Sequence, residues 1–387
     1  MPEIFEPAKL GPLTLRNRII KAATFEGRTP DALVSDDLIE FHRAVAAGGA
    51  AMTTVAYCAV APEGRTERRQ IYMRPEAAPG LAKLAEAVHA EGAAISAQIG
   101  HAGPVADARS NGAPALAASR RLSPLTGRFI QQATEDDIAR ITAAHADAAE
   151  LAADSGFDAV ELHFGHNYLV SSFLSPKLNK RRDGWGGSVA NRAKIARQIA
   201  EAVRTRVGDR IAVTAKLNME DGVRGGLTID DSLQVARLLE SDGHLDALQL
   251  TAGSSLLNPM YLFRGEAPVK EFADAFPQPL RTGLRLFGRF FLHSYPYQPG
   301  YLQESAKLFR RELSMPLILL GGITDYAAMS RAMDDGFDFV AMGRALLMEP
   351  DLVKRIEQDK STVSQCIHCN RCMPTIYRRT RCVLVES

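Results

Sequence analysis

Short runs of β-branched and apolar residues alternate, almost from one end of the chain to the other, with stretches whose apolar positions recur three and four apart. The first pattern suits a buried strand and the second an amphipathic helix. Eight runs read as strands: Ile19–Ala23, Ala51–Tyr57, Ala94–Ile99, Asp158–Leu162, Ile211–Lys216, Leu245–Leu250, Pro316–Leu320 and Phe337–Met342. Between them Pro79–Glu91, Ile138–Ser155, Ala190–Val207, Ser232–Ser241 and Tyr326–Asp335 read as crossover helices. Such alternation calls for a parallel sheet. Eight units match a closed (β/α)8 TIM barrel of the α/β class better than an open doubly wound sheet, which is the second choice. Two long insertions, Gly103–Thr134 and Ser254–Pro299, follow the third and sixth runs, where loops would cover a barrel's active face. No repeat or linker divides the chain, so residues 1–360 are expected to form one barrel and residues 361–387 a cysteine-containing tail.

Composition supports a compact enzyme, with 46% hydrophobic and 24% charged residues. Forty-six basic residues against 45 acidic ones leave a net charge of +1, which gives no general drive toward nucleic acid or an anionic membrane. The expected partners are small molecules, with a homo-oligomer left open. The N-terminus lacks the basic and then apolar run of a signal peptide, and no window of 18 uninterrupted apolar residues occurs, so a cytoplasmic location is expected. Four of the five cysteines crowd the last 22 positions, unlike a secreted disulfide framework.

The seventh run leads into Gly321-Gly322, and the eighth into Gly343-Arg344. Glycine-freed N–H groups after these two strands commonly cradle a phosphate in barrels, and Arg344 adds a charged donor. The plainer alternative is a pair of tight turns and a surface arginine. Neither G-x-G-x-x-G behind a strand nor G-x-x-x-x-G-K-[ST] is present, so a Rossmann site and a P-loop are unsupported.

The fourth run continues Glu161-Leu-His-Phe-Gly-His-Asn-Tyr168. If the chain turns helical after Leu162, His163 and His166 face one side with Tyr168 nearby. Two imidazole donors and a phenol at a strand's C-terminal end point to catalysis more than to ordinary packing. A zinc site starting at His163-x-x-His166 lacks further ligands at suitable positions.

Taken together, Leu10-Gly-Pro-Leu-Thr-Leu-Arg-Asn-Arg-Ile19, Ala97-Gln-Ile-Gly-His-Ala-Gly103, Glu161 through Pro176, Arg182-Asp-Gly-Trp-Gly-Gly-Ser-Val-Ala-Asn-Arg192 and Met342-Gly-Arg344 resemble the Old Yellow Enzyme family of FMN-containing, NAD(P)H-dependent oxidoreductases. The likeness is to the branch with 2,4-dienoyl-CoA reductases and trimethylamine dehydrogenase. It implies FMN across the barrel mouth, with Gln98 bonding the pyrimidine and Lys216 stabilising negative charge on the reduced ring where many members have Arg. It also implies that Gly321, Gly322, Gly343 and Arg344 hold the phosphate, and that Ala23, Thr24 and Tyr57 lie beside the isoalloxazine. Two positions depart from the pattern: Phe25 stands where many relatives carry a Thr or Cys, beside Thr24, and Tyr57 is large where small residues are frequent. The implied reaction is reduction of an activated C=C bond, with the carbonyl oxygen of an α,β-unsaturated compound held by His163 and His166 and the α-carbon protonated by Tyr168. The alternatives are an amine-oxidising flavoprotein and a flavin-binding barrel without catalysis.

Cys366-Ile-His-Cys369-Asn-Arg-Cys372, with Cys382 beyond, resembles the iron–sulfur segment of the same branch, although the last gap is shorter than usual there. Four thiolates can hold a 4Fe-4S cluster or a tetrahedral zinc. A vestigial staple is the other reading. With the chain ending at Ser387, the downstream flavin and nucleotide domains of larger members are expected to be absent.

Overall fold

The computed structural model describes residues 3–123 and 127–385. All eight expected runs are strands of one closed parallel barrel: β1 (Ile19–Lys21), β2 (Met52–Ala59), β3 (Ala94–Gly100), β4 (Ala159–Phe164), β5 (Ala212–Asn218), β6 (Ala247–Thr251), β7 (Leu317–Leu320) and β8 (Phe339–Met342). Each strand pairs with its sequence neighbours, and β8 closes on β1 through Ala341 opposite Ile20.

Eight helices follow the strands in turn: α1 (Asp36–Ala47), α2 (Ala78–His89), α3 (Glu135–Asp154), α4 (Val189–Val207), α5 (Ile229–Asp242), α6 (Gln303–Glu312), α7 (Tyr326–Asp334) and α8 (Leu352–Gln358). Periodicity singles out five of them and passes over α1, α6 and α8. The buried stripe of α6 is only Gln303, Ala306 and Phe309, and that of α1 includes His42, so neither reads as apolar at helical spacing. Five helices begin at a side-chain cap. Ser35, Ser188, Thr228 and Asp325 each accept an N–H from the first turn, and Thr134 forms a reciprocal capping box with Asp137. Each cap stabilises its helix by about 1 kcal/mol and fixes where the helix starts above its strand.

An antiparallel hairpin, Ala8–Leu10 with Leu13–Leu15, plugs the N-terminal end of the barrel. Its Leu10 and Leu15 pack with Ile20, Met52, Ala159, Ala212, Ala247, Ile318 and Phe339, while a larger apolar cluster fills the space between strands and helices. Because side chains alternate along a strand, the interior can be followed upward in steps of two. Ala159 gives way to Glu161, Ala247 to Gln249, and Ala212 to Thr214 and then Lys216. The lumen is therefore apolar below and polar at the C-terminal mouth.

The two insertions carry structure of their own. The first holds a three-stranded sheet (Leu116–Ala117, Arg121–Leu122, Phe129–Gln132), with residues 124–126 lying outside the described residues. The second contains short helices at Pro259–Phe263, Val269–Asp274 and Leu280–Phe287. Beyond α8 the tail crosses the mouth. Ser364 N donates to Thr324 O at 3.0 Å, Asn370 bonds the second insertion, and Thr380 N donates to Glu26 O at 2.9 Å.

One close approach ties the first insertion to the loop after β4. Gly103 has φ +58°, and a Cβ there would lie 2.5 Å from the Leu169 backbone, directly after Tyr168. Gly103→Ala should therefore destabilise the fold by about 2 kcal/mol through strain and overlap. A urea-denaturation midpoint equal to that of the parent would contradict this packing.

Candidate active site

The mouth is built from consecutive strands. Parallel register places Gln98 on β3 beside Glu161 on β4, and Lys216 on β5 between His163 on β4 and Gln249 on β6. Gln98 Nε2 and Lys216 Nζ both donate to Glu161 Oε1, at 2.6 and 2.8 Å, and all three side chains are buried. Two more polar atoms in this tier, His163 Nδ1 and Gln249 Nε2, are buried without a hydrogen-bond partner. Buried orphans of this kind cost free energy unless a ligand completes them.

The expected helix after Leu162 does not form there. Pairing with β5 continues to Phe164 opposite Leu217, which keeps His163 in the strand. His166 and Asn167 then take left-handed values of φ, +58° and +59°, before a short helix at Leu169–Leu174. Left-handed backbone is costly for His and easier for Asn. The loop is held by a polar hub. His166 N donates to Asn218 Oδ1 at 3.0 Å, and Asn167 Nδ2 to Asp221 Oδ1 at 3.0 Å. The fully buried Asp221 also accepts from Asn218 Nδ2, Ser175 Oγ and Leu227 N.

This turn still brings the expected trio together. The ring centroids of His163 lie 5.1 Å from His166 and 4.5 Å from Tyr168, the latter pair edge to face. Tyr57 sits in a β-bulge of β2 between Val55 and Cys58, donates its hydroxyl to Gly64 O, and packs 5.4 Å from Tyr168. It packs edge to face against the Tyr168 ring. Burial, with the His166 ring and the Lys216 ammonium adding to it, holds His163 well below the ordinary histidine range. Burial and Lys216 bring His166 to about 3. Burial alone raises the Tyr168 phenol above its usual value. At neutral pH the trio is two neutral imidazoles and a protonated phenol, a set able to donate hydrogen bonds to an electrophile without adding net charge.

Ala23 and Thr24 follow β1 at the rim, where Thr24 Oγ1 donates to Ala22 O at 3.0 Å. Phe25 is fixed through its neighbour and its carbonyl. Glu26 pairs with the buried Lys21 at 3.3 Å, and Thr380 Oγ1 donates to Phe25 O. At the other side of the mouth, Gly321 and Gly322 have φ of +106° and +76°, and Gly322 packs against residues 298–300. Gly343 has open space where a Cβ would stand and leads into the helix Arg344–Met348. Arg344 donates to the carbonyls of Phe263 and Arg264 and to Asn370 Oδ1. Cys366, Cys369, Cys372 and Cys382 are free thiols, and no group of three or more His, Cys, Asp or Glu side chains among the described residues is arranged to hold a metal. The four thiols nevertheless lie near enough to interact, Cys366 with Cys369 and Cys382, and Cys372 with all three of the others.

Glu161, Gln249, Asn218, Thr251 and Asp221 received no role from sequence. Gln249 and Thr251 were legible as polar residues within the apolar run Ala247-Leu-Gln-Leu-Thr251, and His166 Nε2 meets Thr251 Oγ1 at 3.0 Å.

A barrel with a polar, partly unsatisfied mouth and an open glycine cradle suits a flavin mononucleotide. The Gln98 amide and Lys216 ammonium can serve the electron-accepting ring, and the free N–H groups after Gly343 its phosphate. These features define an FMN-dependent NAD(P)H oxidoreductase. The chain belongs to the NADH:flavin oxidoreductase / NADH oxidase family, whose pattern matches residues 3–251. It is 56% identical over 386 residues to the 4,4'-dithiodibutanoate disulfide reductase of Rhodococcus erythropolis, covering 100% of this chain and 96% of that protein. It is 32% identical over 381 residues to a metal reductase of Desulforamulus reducens, covering 98% of this chain and 52% of that longer protein. Among solved structures, a 2-naphthoyl-CoA reductase complex superposes with a TM-score of 0.85 at 25% identity, over 99% of this chain and 57% of that one. No helix among the described residues is long and apolar enough to cross a membrane.

The lowered histidines link stability to pH. The unfolded chain takes up protons near pH 6.5, whereas folded His166 does so only near 3, so its contribution is present above the unfolded value and is lost as pH falls below it. Between pH 6.5 and 4, the urea midpoint of His166→Asn should fall less steeply than that of the parent. Asn is chosen because it tolerates the left-handed backbone. Parallel slopes would remove His166 from the linkage.

Proposed function

We propose that this chain reduces small organic disulfides with electrons from NAD(P)H, 4,4'-dithiodibutanoate being the lead substrate. The observation that carries the reading is the convergence of His163, His166 and Tyr168 as uncharged donors beside the buried Lys216. A disulfide is preferred among electrophiles because the full-length relative at 56% identity is a disulfide reductase. The overall reaction is NAD(P)H plus a proton plus RSSR giving NAD(P)+ and two RSH. FMN, when bound, supplies a two-electron carrier between nucleotide and disulfide.

The protein's own contribution is to receive charge. Breaking the S–S bond leaves electron pairs on two sulfurs, and the neutral imidazole N–H groups with the Tyr168 Oη–H can stabilise the thiolate that forms in the mouth. Tyr57 and the first insertion pack against the half-buried ring of Tyr168.

Reduction of an α,β-unsaturated carbonyl is the second reading, favoured by the same trio, with the carbonyl oxygen on His163 and His166. The two differ in what they ask of Tyr168. An alkyl thiolate, whose acid has a pKa of about 8.5, is too weak a base to take the proton of a phenol raised above its ordinary value of about 10. A carbon centre bearing negative charge is a strong enough base. In the disulfide reaction Tyr168 stabilises by hydrogen bonding, and in the alkene reaction it must give up its proton.

The purified protein should be yellow, lose its visible absorbance with NAD(P)H under anaerobic conditions, and regain it with 4,4'-dithiodibutanoate. Bleached protein that the disulfide leaves unchanged sinks the proposal. In the same assay Tyr168→Phe should slow reoxidation by cyclohexenone about a hundredfold and reoxidation by the disulfide only a few-fold. Equal losses with both oxidants would show that the phenol transfers its proton in each.

A further inference from the structure

We propose that Arg264 is the receptor for a carboxylate of the oxidising substrate, a refinement that rests on the disulfide-reductase reading. Arg264 closes the short helix Pro259–Phe263 in the second insertion with φ +52°, a left-handed value that disfavours any residue with a side chain. Its backbone is held from behind. The Arg264 carbonyl accepts from Arg344 Nη1 at 3.1 Å and from Asn370 Nδ2 at 2.9 Å, and Gly265 N donates to Tyr295 O at 2.7 Å. The guanidinium lies over two rings, 4.1 Å from the centroid of Tyr261 and 4.8 Å from that of Tyr295. Both phenols are anchored, Tyr261 Oη donating to Glu220 Oε1 and Tyr295 Oη accepting from Asn258 Nδ2, each at 2.7 Å.

Such a setting holds the cation by its faces, with the Tyr261 hydroxyl as a polar neighbour that Glu220 in turn anchors. No carboxylate among the described residues forms an ion pair with Arg264, and its Nε is buried without a partner. Arg344 contrasts with it, because three of its four terminal N–H donors already bond protein oxygens. Aromatic walls on a guanidinium strip water from its faces and leave the in-plane N–H fork for a planar oxyanion, which a carboxylate matches in bidentate fashion.

The segment bearing Arg264 is continuous with the loop after β4. Ser255 N donates to His166 O at 3.1 Å, Ser254 Oγ donates to Asn167 Oδ1, and a Cβ on Gly253 would lie 2.8 Å from Leu262 N. The segment that carries Arg264 and the loop that carries His166 are thus held to each other. In 4,4'-dithiodibutanoate each sulfur carries a short chain ending in a carboxylate, so one end can be gripped at the rim while the S–S bond stays in the mouth. An oxyanion could equally come from the phosphate of FMN or of the nicotinamide nucleotide, and the experiment separates these sources.

Decanedioate, in which two methylenes replace the sulfurs, serves as an unreactive probe, with the corresponding diol as its neutral counterpart. In FMN-loaded protein, Arg264→Ala should weaken decanedioate binding about tenfold or more by calorimetry and leave the diol unaffected, with Arg264→Lys recovering part of the loss. KM for 4,4'-dithiodibutanoate should rise by a similar factor at nearly unchanged kcat. FMN retention and the rate of bleaching by NAD(P)H should stay within about twofold of the parent. Unchanged decanedioate affinity, or an equal loss for the diol, overturns the proposal. Loss of FMN or slower bleaching also overturns it, by giving the guanidinium to a phosphate. If Arg264 governs decanedioate binding but the parent reduces no disulfide, the anion site stands and the disulfide reading falls.

Discussion

A buried ammonium and a buried amide share one carboxylate oxygen, and the architecture of the mouth depends on that contact. Lys216, Gln98 and Glu161 project from three adjacent strands into a lumen that is apolar below them. An ammonium removed from water is costly, and deleting its partner carboxylate would strand it at about 3–5 kcal/mol. The pair therefore fixes the register of β3, β4 and β5 at their C-terminal ends, where a slip of one residue would turn charge into the helix layer. It also ensures that whatever binds above meets a fixed positive centre. The neutrality of both histidines follows from the same source, since Lys216 adds its repulsion to the effect of burial at each ring.

From this base the loop after β4 is a problem in holding strained backbone. Two consecutive left-handed residues at His166 and Asn167 would relax if left to themselves. Asp221 prevents it by collecting Asn167, Asn218, Ser175 and Leu227 N at one buried carboxylate, while Asn218 in turn takes His166 N. Burial raises Asp221, and the four donors oppose that shift, so the hub remains a strong acceptor despite its surroundings. The strain is placed where it aims an imidazole, in the way functional loops commonly store it.

The barrel was legible because each strand is a short apolar run and each run is followed by helical spacing or an insertion. The helices α1 and α6 were not singled out because a buried His42 or Gln303 interrupts the stripe that periodicity detects, and α8, with Leu352, Val353 and Ile356 over seven residues, is too short to establish a period. At the site, His163, His166, Tyr168, Gln98 and Lys216 were accessible from motif and strand-end position, whereas their geometry was not. A helical turn and an extended strand followed by a left-handed loop both bring His163 near His166, and only pairing of Phe164 with Leu217 decides between them. Asp221 and Arg264 were silent for a different reason. Their importance lies in long-range partners, Ser175 and Asn167 for one and Tyr261, Tyr295 and Asn370 for the other, and no local spacing encodes such convergence.

The tail shows the same limit. Its cysteines drew attention by their spacing, yet two side chains between and beyond them attach it to the barrel. Asn370 accepts from Arg344 and donates to the carbonyls of Arg264 and Glu266, joining the β8 end to the second insertion. Thr380 then reaches the carbonyls of Phe25 and Glu26 beside β1. Because β8 and β1 are neighbours in the closed barrel, the tail bridges the last loops of the fold back to the first across the mouth. Its anchors lie on the loops after β1 and β8 and on the second insertion, so the conformation of those loops is coupled to the tail's amide and hydroxyl contacts.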